Sequence, residues 1–240
     1  MKYSVLCSHF KPMFEKLSNR LVDLIPSDPK VLVLPLAFPV ETTKEALDNE
    51  WINVKKDRYL DGLYALGIKD ENITIINCYR YSKEEVKNLL RDSNILIIPG
   101  GNPEMLYYKL VMEYDLLYDL KYYDGLIIGE SAGACTQFRE YFITKENNYH
   151  GYKAWYPGFG VLNDPYYIDV HTKDDKEYMN ELQKTSNKRK RIIYALHEED
   201  AILHDRSTGK FELFGNINII EPKWCLFEYC ITLQKNKNNI

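Results

Sequence analysis

A serine lies between two glycines where an apolar run gives way to small residues. Gly129-Glu130-Ser131-Ala132-Gly133 fits the pattern G-x-S-x-G, which places a nucleophilic serine on a sharp turn between a strand and a helix. The glycines remove side chains that would collide in that turn. The N–H of Ala132, at the start of the helix, is suited to stabilise an oxyanion when Ser131 attacks a carbonyl. The alternative is a tight glycine turn in which Ser131 only caps the helix.

A second glycine pair follows another apolar run, in the segment "NILIIPGGN" (94–102). At a neighbouring strand end, Gly100 or Gly101 can supply the other N–H of an oxyanion hole. A phosphate-binding loop is a weak rival, because neither GxGxxG nor GxxxxGK[ST] occurs in the chain. The two loops together predict acyl transfer through a covalent acyl-enzyme.

Five histidines are candidates for the general base. His171 ends the strand-like run "YYIDV", 40 residues after the serine (171 − 131). His150, in a polar and aromatic-rich loop, is the main alternative. His197 and His204 flank a turn between C-terminal strands, where structural roles are expected. His9 follows the first strand and therefore lies near the active edge of the predicted sheet.

Strands and helices alternate along most of the chain. Strands are predicted at 3–7, 30–38, 73–77, 94–101, 125–131 and 192–196, and helices from after the first strand to about 25 and at 43–66, 83–90, 103–120 and 174–184. This alternation predicts an α/β fold with a doubly wound, mostly parallel sheet, whose ligand sites lie beyond the carboxyl ends of the strands. After Asp200 the pattern changes to an antiparallel hairpin around Ser207-Thr208-Gly209. Residues 1–240 are expected to form a single domain.

Composition limits the classes of function. The 240 residues carry a formal net charge of -4, with 45% hydrophobic and 28% charged residues, so neither nucleic acid nor an anionic membrane is the expected partner. The sequence shows no secretory signal and no apolar run long enough to cross a bilayer. The five cysteines are scattered without a CxxC pair, which favours reduced thiols in the cytoplasm. No metal cluster is visible, and no cofactor is implied.

The segments "IIPGGNPEMLYYKL" (97–110) and "GLIIGESAGAC" (125–135) resemble peptidase family S51, the aspartyl dipeptidase (peptidase E) and cyanophycinase group. The family is related to the class I glutamine amidotransferases and has a serine in place of their cysteine. The resemblance covers most of the chain, and its specific part is the G-x-S-A-G-A turn with the upstream GGN loop. It implies a flavodoxin-like sheet and a Ser–His–acid triad with His171 as the base.

The resemblance also suggests an acid. The family's acid follows the serine by about fifteen residues, and an ungapped count places Glu146 there (131 + 15). Glutamate can accept a hydrogen bond from the imidazole and stabilise the imidazolium. Asp169 is the rival, but it lies two residues before His171, and two residues that point the same way from a strand make direct contact awkward. Asp174 and Asp175 are expected to begin a helix instead.

Substrate contacts are expected at Asn102, Glu130 and Asp175. Family aspartyl dipeptidases resemble one another in carrying an arginine, thought to pair with the substrate's aspartate, where Asp175 aligns in this chain. An acid there, with Glu130 beside the nucleophile, predicts hydrolysis of short peptides without strict preference for N-terminal aspartate. Lys173 and Lys176 are close in sequence, but a flexible ammonium does not reproduce a bidentate guanidinium. The oligomeric state is not readable from the sequence, and a homodimer stays open.

Two other functions fit parts of the pattern. An α/β-hydrolase esterase shares G-x-S-x-G, but its histidine comes late in the chain, so His197 or His204 would be the base. A non-catalytic binding or regulatory protein on an amidotransferase-like scaffold would also explain Glu130 beside the serine. The spacing to His171 argues against the first alternative, and the complete set of serine, histidine and glutamate argues against the second.

Overall fold

The computed structural model describes residues 2–39, 41–49, 57–163 and 166–223. The strands there are β1 (Tyr3–Cys7), β2 (Val31–Val33), β3 (Ile73–Ile75), β4 (Ile95–Ile98), β5 (Leu126–Glu130), β6 (Glu140–Ile143), β7 (Ala154–Pro157), β8 (Tyr166–Val170), β9 (Ile192–Leu196), β10 (Ala201–Asp205), β11 (Phe211–Phe214) and β12 (Asn218–Ile220). The helices are α1 (Phe10–Val22), α2 (Lys44–Ala46), α3 (Asp57–Ala65), α4 (Lys83–Asp92), α5 (Pro103–Tyr108), α6 (Leu117–Lys121), α7 (Ala132–Cys135) and α8 (Lys176–Arg189).

Among the described residues, seven strands form a mixed sheet in the order β11-β10-β1-β5-β4-β2-β3. Five neighbouring strands, β1, β5, β4, β2 and β3, are parallel. Strands β10 and β11 extend the sheet as the predicted antiparallel hairpin. Alternate side chains enter two cores: Val31 and Ile95 pack with α1 and α3 on one face, whereas Leu32 and Leu96 pack with α4 and α5 on the other. The predicted doubly wound α/β sheet is therefore confirmed.

A second sheet lies beside the first and has the order β12-β9-β8. Strands β8 and β9 run parallel, with Val170 opposite Leu196, so both end at the same edge. Helix α8 connects them, and Asp175 caps its first turn by accepting the N–H of Tyr178 at 2.9 Å. This sheet carries the segment with His171 and the residues that follow β9.

Some predicted elements are shorter than expected. The predicted strand 30–38 ends at Val33, because the N–H of Leu36 turns back to the carbonyl of Leu34 and Pro35 has no N–H to donate. The predicted helix 103–120 is divided into α5, a π-helical turn and α6, and Asp115 adopts a left-handed φ of 52° at the break. The predicted helix 43–66 begins as α2 and ends as α3, and its residues 50–56 lie outside the described residues.

Other local expectations are confirmed. Ser82 caps α4 in a capping box with Glu85, as the sequence indicates. Gly67 follows α3 with a φ of 80°, a conformation that suits glycine at the end of a helix. No helix of the described chain has both the length and the apolar character that crossing a bilayer requires.

Candidate active site

Ser131 occupies the sharp turn between β5 and α7. Its φ of 50° and ψ of -114° lie in a region that non-glycine residues rarely adopt. The turn is tight, since a Cβ at Gly133 would overlap the carbonyl oxygen of Ile98. Ser131 is the N-cap residue of α7, but its side chain makes no capping hydrogen bond. The backbone strain instead directs the hydroxyl toward a partner outside the helix.

That partner is His171. The Nε2 atom of His171 lies 2.9 Å from Oγ of Ser131. His171 follows β8 with a φ of 56°, and its backbone N–H donates to Oγ of Ser8 at 3.1 Å. Ser8 in turn donates to the carbonyl of Leu196 at 3.2 Å. Ser8 therefore ties the backbone at His171 to the end of β9.

The carboxylate that contacts His171 is Glu198, which sequence reasoning missed. Its Oε2 atom lies 2.7 Å from Nδ1 of His171. Because a carboxylate can only accept, Nδ1 carries the ring proton and Nε2 is free to accept a proton from Ser131. Glu198 lies two residues beyond the end of β9, at the edge where β8 also ends. Its place directly after a predicted strand, 192–196, was the sequence signal that could have identified Glu198.

Glu146, the acid expected from spacing, contacts a different residue. Its Oε2 atom accepts a hydrogen bond from Nζ of Lys173 at 2.8 Å. The rival Asp169 is buried and accepts from the hydroxyls of Thr172 and Tyr178 at 2.6 and 2.9 Å. Burial raises the pKa of Asp169 to about 7, although these two hydrogen bonds act to lower it. The structure thus brings neither Glu146 nor Asp169 into hydrogen bonding with His171.

The other histidines have partners of their own. Nε2 of His150 lies 3.1 Å from Glu104. His197 lies 3.0 Å from both Asp174 and Asp200. Buried His204 lies 2.6 Å from the hydroxyl of Tyr166 and stacks on Phe211. None of these three hydrogen-bonds Ser131, which removes the geometric basis for an α/β-hydrolase arrangement.

Glu130, expected to contact substrate, is buried with 2% of its surface exposed. Its carboxylate accepts the N–H of Phe10 at 3.2 Å, the N–H of Gly100 at 3.2 Å and the guanidinium of Arg58 at 2.8 Å. Burial acts to raise its pKa, but His9, Arg58 and the two amides outweigh burial and lower it. Glu130 therefore holds the Gly100 loop and α1 against the end of β5.

These contacts change the expected oxyanion hole. The N–H of Gly100 is directed at Glu130 and not at an incoming carbonyl. Gly101 has a φ of 140°, and a Cβ there would lie 2.9 Å from the Cβ of Ala37, so this loop requires glycine. Asn102, expected to bind substrate, caps α5 by accepting from the N–H groups of Glu104 and Met105. The N–H groups of Gly101 and Ala132 remain as the candidate pair.

His9 completes the surroundings of Glu198. Its ring centroid lies 5.0 Å from that of His171, its Nε2 lies 3.0 Å from Oε2 of Glu198, and its Nδ1 lies 3.6 Å from Oε1 of Glu130. The contact with Glu130 raises the pKa of His9, and the charge of Glu198 adds to that effect. His9 thus connects the buried Glu130–Arg58 pair to the exposed carboxylate behind His171.

Known proteins resemble the chain in sequence and fold. The model of peptidase family S51 matches residues 5–211. A structure assigned to peptidase E from Listeria monocytogenes EGD-e superposes with a TM-score of 0.55 at 18% identity, covering 93% of this chain and 100% of that one. A peptidase from an acI-B1 Actinobacterium superposes with a TM-score of 0.61 at 15% identity, covering 93% and 92%. No curated protein sequence matches. The chain belongs to peptidase family S51, a family of serine peptidases.

Proposed function

We propose that this peptidase hydrolyses short peptides through a triad of Ser131, His171 and Glu198. One observation carries the proposal: His171 bridges Ser131 at 2.9 Å and Glu198 at 2.7 Å through its two ring nitrogens. This is the geometry of a nucleophile, a general base and an orienting acid. In this chain Glu198 follows His171, whereas Glu146, the acid suggested by the family resemblance, precedes it.

The mechanism that this geometry supports is acyl transfer in two steps. Oγ of Ser131 attacks the peptide carbonyl carbon while its proton moves to Nε2 of His171. The N–H groups of Ala132 and Gly101 stabilise the oxyanion. The C–N bond then breaks, and the departing amine takes the proton from His171. Water, deprotonated by the same nitrogen, then attacks the acyl-enzyme. This step releases the carboxylic acid product and regenerates the serine hydroxyl.

The proposal assigns the acid to Glu198 in place of Glu146. An ionised carboxylate on Nδ1 holds the proton there and stabilises the imidazolium that forms during attack. The side chain of Glu198 is 57% exposed, so water screens its charge. We therefore assign it chiefly the role of fixing the tautomer and orientation of the ring.

We propose that the enzyme hydrolyses short peptides without a strict preference for aspartate at their N-terminus. A groove of about 580 Å³ runs between α1 and α3 and reaches the active site at His9 and Glu130. Its apolar lining includes Phe10, Phe14 and Leu66. Its other charged residues are three exposed carboxylates and two cations, which are Glu15, Asp57, Asp61, Lys11 and Arg58.

The charge of this groove disfavours acidic side chains, because the Arg58 cation is already paired with Glu130. Three carboxylates then face one remaining cation, so a carboxylate in the groove meets net repulsion. An apolar lining with an acidic rim suits neutral side chains and long basic ones, whose methylene groups pack while the charged end stays in water. Asp175, the other acid of the specificity argument, caps α8.

A serine-directed fluorophosphonate probe tests the proposal. We expect the wild-type protein to be labelled and to cleave members of a short-peptide library. Labelling and cleavage should both disappear in Ser131→Ala. Labelling that persists in Ser131→Ala, or a folded wild-type protein that is neither labelled nor active, would overturn the assignment of the nucleophile.

A further inference from the structure

Three metal-ligating side chains converge beside the active site. One ligand atom from each of His9, His171 and Glu198 lies within 4.8 Å of the other two. The residues come from three separate places, after β1, after β8 and after β9. The side chains of His9 and Glu198 are 42% and 57% exposed, so an ion from solvent can reach them.

The arrangement suits a transition-metal ion. One oxygen of Glu198 lies 3.0 Å from His9 and 2.7 Å from His171, so the carboxylate already bridges both rings. In a tetrahedral zinc site with bonds of about 2.0–2.2 Å, neighbouring donor atoms are ~3.3 Å apart. The two contacts to Glu198 are close to that spacing, and the exposed side chains of His9 and Glu198 can adjust to it. Two imidazoles and one carboxylate form a known zinc donor set, which leaves a fourth position for water.

We propose that His9, His171 and Glu198 form a binding site for a zinc ion, and that zinc bound there inhibits the peptidase. Ligation uses the lone pair of Nδ1 of His171, so the ring proton that Nδ1 carried moves to Nε2. Nε2 then donates to Ser131 and no longer accepts its proton. His9 ligates as a neutral imidazole: a proton on Nε2 leaves to solvent, and the ring proton is on Nδ1, which lies 3.6 Å from Oε1 of Glu130. The inhibition rests on the proposed function, whereas the binding does not.

Binding is tested first in a protein that cannot turn over. Ser131→Ala removes no ligand, so after treatment with a chelator it should bind one Zn²⁺ per chain by calorimetry. Co²⁺ should give the visible absorption of a tetrahedral site. His9→Asn in the same background should weaken binding by more than the roughly 10–100-fold that loss of an outer-sphere partner costs. His150→Asn in the same background is the matched control, because His150 pairs with the single carboxylate of Glu104. This variant should bind Zn²⁺ as tightly as Ser131→Ala alone.

Inhibition is tested separately in the wild-type protein. Zn²⁺ should abolish peptide hydrolysis, a chelator should restore it, and His9→Gln should be insensitive at the same concentration. Absence of binding to Ser131→Ala, or equal affinity in His9→Asn and His150→Asn with native circular dichroism, would overturn the site. A protein that binds zinc through His9 but hydrolyses no peptide would contradict the proposed function alone.

Discussion

The Glu198 carboxylate lies 2.7 Å from Nδ1 of His171, although 27 positions separate the two residues. The contact exists because β8 and β9 are parallel neighbours that end together. A hydrogen bond to a carboxylate determines which nitrogen of the imidazole carries the proton, and it leaves the other one, 2.9 Å from Ser131, as the base of the proposed triad. The protonation state needed for attack on a carbonyl is thus built into the resting arrangement.

Removing either the nucleophile or the base should abolish hydrolysis. We expect Ser131→Ala and His171→Ala each to reduce turnover by several orders of magnitude with the fold intact, because the two groups act as a unit. Initial rates on a cleaved library peptide, with circular dichroism as the control for folding, measure the effect. Near-normal turnover in His171→Ala together with a large loss in His150→Ala would move the base to His150.

The identity of the acid can be decided by two matched substitutions. Glu198→Gln should lower kcat by about one to three orders of magnitude with little change in KM, less than the roughly 10⁴-fold reported for a buried triad acid, because this one is exposed. Glu146→Gln, which alters an exposed pair with Lys173, should stay within a few-fold of wild type. The opposite ranking of the two variants would return the role to Glu146.

Arg58 should stabilise the fold because it neutralises the buried charge of Glu130. Arg58→Met leaves the carboxylate without its cation and should destabilise the protein by about 1–3 kcal/mol, at the lower end for a buried pair because the Arg58 side chain is 45% exposed. Adding Glu130→Gln should recover part of that loss. Urea denaturation provides the measurement, and Lys16→Met, which breaks the surface pair with Glu199, is the control. Equal effects of Lys16→Met and Arg58→Met would refute the argument.

Substrate preference should follow the charge of the α1–α3 groove. We expect Ala-X and Lys-X dipeptides to be hydrolysed at least as well as Asp-X, because the groove carries more carboxylates than free cations. Comparison of kcat/KM for the three series decides the point. A preference for Asp-X of about a hundredfold, or roughly 2.7 kcal/mol, would contradict it.

Asp169 should make stability depend on pH. Its pKa is raised to about 7 in the folded protein from an ordinary 3.8, so between these values the folded state binds more protons than the unfolded state. Its contribution to stability is therefore complete below about pH 4 and falls as pH rises toward 7, by up to roughly 1.4 kcal/mol per unit. Asp169→Asn should flatten the dependence of Tm on pH between 4 and 8. An unchanged slope of Tm against pH in Asp169→Asn would show that other groups cause the pH dependence.

The sequence predicts the turn at Ser131 better than the carboxylate that contacts His171, for a physical reason. The turn around Ser131 is local: an apolar strand, two glycines and the start of a helix are all visible in the eleven residues 125–135. The position of Glu198 depends on the register between β8 and β9, with Val170 opposite Leu196. Register is a tertiary property, so counting along the chain led to Glu146, which pairs with Lys173 instead.

The role of Glu130 was hidden for a related reason. The identity of an acid beside a candidate nucleophile does not tell which residues its carboxylate contacts. At the end of β5 the side chain of Glu130 turns toward Arg58 and the start of α1. The cation that neutralises it is 72 positions away, and no periodicity in the sequence connects the two.

The hydrogen bonds of the proposed triad cross from one sheet to the other. Ser131 follows β5 of the seven-stranded sheet, whereas His171 and Glu198 follow β8 and β9 of the three-stranded sheet, and Ser8 joins the two through His171 and Leu196. Units of local opening often coincide with supersecondary motifs, and the smaller sheet with α8 contains such a motif. A subglobal fluctuation that loosens the smaller unit would separate base from nucleophile while the larger one stays closed. The fraction of molecules competent for attack is then set by the free energy of this local opening between the two sheets, and not by the global free energy of unfolding.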